Sequence, residues 1–204
     1  TSDLPGHRAL HDRVCAALDR CMESQGVEFK QSSPWDDLRF KIIKTSIAMG
    51  NLRDGGIIII GASENGDHWD LSGISEEHLA TYDVDIVIDF INSFSSPAME
   101  PELVLVRYQN RNIFLTIQIA EFENTPYVCR RNGPDGSGLK EGILYLRKAG
   151  IASTSQVTSA TDMHDLLELA AEKRARNIIQ TGQRIGLIGG LTAETSYNRE
   201  LDGL

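Results

Sequence analysis

The sequence predicts an α+β fold, a mixed or antiparallel sheet with helices packed on it. Three observations carry that expectation. Apolar residues recur at helical spacing near both ends: Leu10, Val14, Leu18 and Met22 early, and Met163, Leu166, Leu167 and Ala170 late. Short segments rich in Val, Ile, Tyr and Phe crowd the middle of the chain. Their order is mixed, with no strict alternation of strand and helix, which argues against a doubly wound parallel sheet.

The elements follow in order. Residues 7–24 read as a helix with Ala17 and Cys21 beside the apolar stripe. VEFKQ reads as a short strand, with Val27 and Phe29 on one face and Glu28 and Lys30 on the other. In SSPWDD, Ser33 is the expected cap, Pro34 suits the first turn, and Asp36 and Asp37 suit a helix N-terminus. That helix runs to about Gly50, with Phe40, Ile43 and Ile47 as its apolar stripe and Lys41 and Lys44 on another face. GGIIIIGA is a strand whose unbroken apolar run implies burial on both faces. SENGDH reads as a turn, and HWDLSGI as a short strand. Ser75 caps a helical segment, and a second runs from Val84 to Phe94. ELVLVRYQ, NIFLTIQIA, PYVCR and GILYLRKAG read as strands, with Gln109-Asn110 as a hairpin turn. IASTSQVTSATD leads into a helix from about Ala160 to Ile179. The expected organisation is one domain over 1–180 and a Gly-rich tail or partner-binding arm over 181–204.

Composition narrows the function. The 204 residues are 41% hydrophobic and 24% charged, ordinary globular usage. The longest apolar run, Ile57 to Ile60, is far too short to span a membrane, so no membrane partner is expected. Cys15, Cys21 and Cys129 form no CxxC spacing and read as reduced thiols of a cytoplasmic protein. The net charge of −9 argues against a nonspecific nucleic-acid coat, though not against a local basic patch. Basic residues do gather late, between Arg130 and Arg176.

The residues most suggestive of chemistry are acidic. Glu23 and Glu28 flank the start of the first strand, and Glu64 follows the isoleucine strand. If the two strands are neighbours, the three carboxylates meet and supply hard oxygen ligands for Mg²⁺ or Mn²⁺. Lys30 shares a face with Glu28 and would reach a phosphate. Gly55 and Gly56 read as a tight turn. Gly61 to Gly66 lacks the following Lys-Ser/Thr of a triphosphate-binding loop. His7, His11 and His68 read as surface or turn histidines.

From about Met22 to Ser155 the chain resembles the Schlafen-type AlbA domain. The family's E-S-x-x-x-E-F-K pattern is met by Glu23, Ser24, Glu28, Phe29 and Lys30. Its A-x-x-N segment and Gly-Gly are met by Ala48, Asn51, Gly55 and Gly56. Where the family has G-V-D-D-x-G, this chain has Gly61, Ala62, Ser63, Glu64, Asn65 and Gly66. Pro126-Tyr127 and Tyr145-Leu146-Arg147 match two later strands, with Ala149, Gly150 and Ser153 after them.

The resemblance implies a metal-dependent endoribonuclease acting on structured RNA such as tRNA. Its three acids fall at Glu23, Glu28, and Ser63 or Glu64, with Asp67 the next carboxylate along. In that reading Glu23, Glu28 and Glu64 hold Mg²⁺ or Mn²⁺ and Lys30 assists at the phosphate. Lys41, Lys44, Arg147 and Lys148 guide the RNA backbone. A role in antiphage defence follows from the resemblance alone. Two alternatives stand beside it: a non-catalytic DNA- or RNA-binding regulator, and a structural subunit of a defence complex. The partners expected are RNA or DNA, further copies of the chain, or a separate ATPase subunit.

Overall fold

The molecule is described from a computed structural model covering residues 5–66, 68–148 and 153–187. Its elements are α1 (Pro5–Arg20), β1 (Val27–Lys30), α2 (Trp35–Gly50), β2 (Gly56–Ile60) and β3 (Ser63–Asn65). Then come β4 (His68–Asp70), α3 (Glu76–Leu79), α4 (Val84–Asn92), β5 (Ser95–Ser96) and β6 (Glu102–Tyr108). Last are β7 (Asn112–Ile119), β8 (Val128–Cys129), β9 (Tyr145–Arg147), β10 (Thr154–Gln156) and α5 (Ala160–Arg184).

The fold is α+β, built on a four-stranded mixed sheet in the order β1-β2-β7-β6. β1 and β2 run parallel, with α2 as their crossover, and the other two pairings are antiparallel. Every residue of β2 is buried, because helices cover both faces of the sheet. Ile57 and Ile59 face α1, with Phe29, Val106 and Phe114, beneath Leu10, Val14 and Leu18. Ile58 and Ile60 face the other way, with Ile42, Ile47, Leu115 and Ile117. Each fully buried isoleucine stabilises by roughly 1.5–3 kcal/mol. Gln109 and Asn110, both at positive φ (50° and 57°), make the tight β6–β7 turn expected of them.

Buried Asn51 ties α2 to the later strands. Its amide donates to the carbonyls of Tyr127 (2.9 Å) and Tyr145 (3.1 Å) and accepts from the Tyr127 N–H (2.7 Å). Gly55 then turns the chain into β2 at φ +60°, where a Cβ would stand 2.0 Å from the Ile119 carbonyl oxygen. Only glycine fits there.

The structure departs from the sequence reading at several points. α1 stops at Arg20, not residue 24, because Cys21 takes φ 47° and Ser24 and Val27 exchange backbone hydrogen bonds in a turn. Met22 therefore lies 66% exposed. Ser33 does not cap α2; Pro34 occupies that position, and the Ser33 carbonyl accepts from the Tyr82 hydroxyl. Residues 63–65 and 68–70, read in part as a turn, pair as the antiparallel strands β3 and β4. Thr154 to Gln156, read as a lead-in, pair with β9. α5 runs to Arg184, past the helix end expected near Ile179. It packs through Leu166, Leu169 and Ala170, while Leu167 is 57% exposed. The remainder of the proposed arm, 188–204, lies outside the described residues. No described helix is long and apolar enough to cross a membrane.

Candidate nucleic-acid interface and carboxylate cleft

β1 is an edge strand, and the two acids of the sequence motif meet it in different ways. Glu28 points from β1 to the α2 side of the sheet, where it is buried. Its Oε1 pairs with the Lys30 ammonium, and Arg147 of β9 donates to its Oε2 at 2.5 Å. Arg147 is only 2% exposed; it also donates to the carbonyls of Ser24 (2.8 Å) and Val27 (3.3 Å). Gln25 donates to the Arg147 carbonyl at 2.8 Å. Glu28 and Arg147 thus form an interior ion pair locking β9 to the edge of the sheet. The guanidinium expected to guide RNA is committed there and does not face solvent.

Glu23 sits just before the strand and accepts the Phe29 N–H at 2.9 Å, filling an open hydrogen-bonding position of the sheet edge. Burial holds its carboxyl above the ordinary range. Neighbouring Glu28 pushes the same way, while the Phe29 N–H, Lys30 and Arg147 pull partly back. Glu23, Phe29, Lys30, Ser63, Glu64 and Trp69 surround a cleft of about 430 Å³. Glu28 is not among the residues lining it. Neighbouring β1 and β2 do bring Glu23, Lys30 and Glu64 to one cleft, and leave Glu28 on the interior side.

This donor set does not fit a ready-made Mg²⁺ or Mn²⁺ site. Both Glu28 oxygens are held by cations, and one Glu23 oxygen by the backbone. Among the described residues no three His, Cys, Asp or Glu side chains stand where they could share an ion. Ser63 occupies the start of β3 beside Glu64, and Asp67 lies outside the described residues.

Of the other expected backbone guides, Lys41 and Lys148 are exposed. Lys44 is half-buried, its ammonium 5.5 Å from the Tyr145 ring centroid. A basic feature the sequence reading missed lies where α2 meets α4. The Arg39 guanidinium sits 5.0 Å from the Phe40 ring and 5.2 Å from Phe90, and Arg131 sits 4.1 Å from Phe94. The three rings contact one another at 5.6–5.9 Å. Two planar cations therefore share one aromatic trio. The sequence signal was present in the Arg39-Phe40 pair and the four-residue spacing of Phe90 and Phe94, but nothing in it showed that the two segments meet.

The Schlafen AlbA_2 family profile matches residues 23–150, and the chain belongs to that family. Membership suggests a nucleic-acid-related function. Solved structures resembling this one include the DIP2311 protein of Corynebacterium diphtheriae, 18% identical with a TM-score of 0.50. That alignment covers 78% of this chain and 28% of that one, so this chain spans little more than a quarter of that protein. The N-terminal domain of an ATP-dependent DNA helicase RecG-related protein from Nitrosomonas europaea is 20% identical with a TM-score of 0.44. It aligns over 73% of this chain and 93% of its own. No curated protein matches the chain.

Proposed function

We propose that this chain binds nucleic acid without cutting it, gripping the phosphate backbone with Arg39 and Arg131 and with the exposed Lys41. The observation that carries this reading is the placement of two guanidinium groups on one aromatic trio. Stacking fixes the planar groups while leaving N–H donors for phosphate oxygens. Arg39 also pairs with Asp36 at 2.9 Å, an i,i+3 pair at the surface, and exchanging it for a phosphate costs little. The overall charge of −9 confines binding to this strip and makes it salt-dependent.

A second reading, the metal-dependent endoribonuclease on tRNA-like RNA, draws support from the cleft shared by Glu23, Lys30 and Glu64. It requires Glu28 to leave Lys30 and Arg147. One experiment separates the two. Labelled tRNA and duplex DNA are titrated with protein in EDTA and in Mn²⁺, and strand integrity is followed. Binding that survives EDTA, with intact strands, supports the first reading. In that case Arg39→Ala with Arg131→Ala lowers affinity for all sequences and makes the salt slope shallower by roughly one for each phosphate no longer neutralised. Discrete fragments that vanish in EDTA and in Glu64→Ala would replace binding by cleavage.

A further inference from the structure

The two edges of the central sheet are finished differently. At β1 the chain closes its own edge: Glu23 accepts the Phe29 N–H, and Arg147 donates to the Ser24 and Val27 carbonyls. β6 is the opposite edge. It runs seven residues in unbroken register with β7, from Glu102 opposite Gln118 to Tyr108 opposite Asn112. Among the described residues, no backbone group of Leu103 to Arg107 is hydrogen-bonded to anything but β7. In an antiparallel pair the backbone groups alternate between the two sides, so every second residue of β6 turns its N–H and C=O outward. Proline and bulges, two devices that blunt such an edge, are absent from the strand, and its two charges, Glu102 and Arg107, stand near its ends.

The middle of the strand is apolar. Val104 and Val106 face α1, and Leu103 faces the other way. By alternation Leu105 shares the face of Leu103, and it is 53% exposed. A row of outward N–H and C=O groups takes an extended chain as its partner, and β6 itself fits that description. In a two-fold antiparallel pairing centred on Val104, Leu103 of each copy stands opposite Leu105 of the other. On the α1 face Val104 meets its own counterpart, and Glu102 stands opposite Val106. Each opposed pair shares one face, as the pleat requires, and no like charges meet. A register centred on Leu105 would instead set Leu103 against Arg107.

We propose that a second copy of this chain docks on β6, antiparallel about Val104, joining the two four-stranded sheets into one continuous sheet. The contact is self-complementary, as a two-fold interface must be. The test is the solution mass of the whole chain, without nucleic acid, by light scattering and sedimentation over a concentration series. The expected result is a species of twice 22.5 kDa. Leu105→Lys sets an ammonium against Leu103 in both leucine pairs and raises the dissociation constant by about tenfold or more. Circular dichroism and the unfolding midpoint stay unchanged, because the position is exposed in the single chain. Val104→Cys supplies an independent measurement. Directly opposed Cα atoms of an antiparallel pair lie about 4.5–5.5 Å apart, within disulfide reach. Mild oxidation then links two chains through position 104, a link that the wild type, with Cys15, Cys21 and Cys129, does not form. Three results overturn the proposal: a wild-type chain that stays monomeric at every concentration, a dimer unmoved by Leu105→Lys, or a dimer that Val104→Cys does not link.

Discussion

Glu23 and Glu28 belong to one short motif, yet the fold gives them opposite surroundings. Glu28 is buried and held by two cations, so its charge is consumed in joining β9 to β1. Glu23 borders an open cleft and caps one backbone N–H. A motif acid is therefore not a functional acid by position alone. Glu28 lies within β1 and faces the interior, whereas Glu23 lies before the strand and accepts from its edge, and what waits at each place decides the role.

The contrast breaks most visibly at Arg147. Arg147→Met leaves Glu28 buried beside Lys30 with half its compensation gone, and stability falls by about 3–5 kcal/mol. Replacing both, Glu28→Leu with Arg147→Met, recovers most of that loss, because an apolar pair needs no mutual neutralisation. Denaturant titration of the two variants measures this directly. A double variant as unstable as the single one would mean that the ion pair is not the source of the loss. Asn51→Ala comes next. It strands the Tyr127 N–H and two carbonyls in the interior, at a cost of about 1–3 kcal/mol per unsatisfied group before relaxation. Its expected signature is a lower midpoint with an unchanged denaturant slope.

Glu23 yields a smaller, pH-dependent effect. Burial raises its carboxyl in the folded state, so the native protein binds that proton more tightly than the unfolded chain does. The corresponding stabilisation is complete below the unfolded carboxylate range. It is lost as pH rises through the window between the unfolded and the raised folded value. Glu23→Gln keeps an acceptor for the Phe29 N–H but does not titrate. As pH rises through that window the wild type should lose more stability than the variant. Parallel curves would show that Glu23 is as solvated in the folded state as in the unfolded.

Much of this fold was legible because local and global signals agree. The isoleucine strand, the Gln109-Asn110 turn and the Ser75 cap each follow from the chemistry of adjacent residues. What escaped depends on distant partners. Thr154 to Gln156 carry no strand pattern of their own and become a strand only because β9 offers an edge. The end of α1 was hidden because Cys21 is an unremarkable helix residue until the chain must turn toward β1 at φ 47°. At the site, the meeting of Glu23, Lys30 and Glu64 follows from β1 and β2 being neighbours, which the strand pattern allowed. The capture of Glu28 did not follow, because Arg147 lies 119 residues away and reads as surface charge in isolation. The Arg39 and Arg131 arrangement failed for the same reason, since it joins α2, α4 and the loop after β8.

Glu64 gives the smallest effect on stability and the sharpest one on interpretation. It is exposed on the β3–β4 hairpin, with no ion pair or side-chain hydrogen bond among the described residues. Glu64→Ala should therefore change stability by no more than about 0.5 kcal/mol, in contrast to Arg147→Met across the same strand. It also removes a negative charge from the cleft, away from the arginine strip proposed to hold phosphate. Nucleic-acid affinity in EDTA should hold or rise slightly, the gain shrinking as salt is added. A loss of affinity confined to Mn²⁺ would carry the opposite meaning: Glu64 would then be acting through a cation, and the cleft rather than the arginine strip would be the working surface.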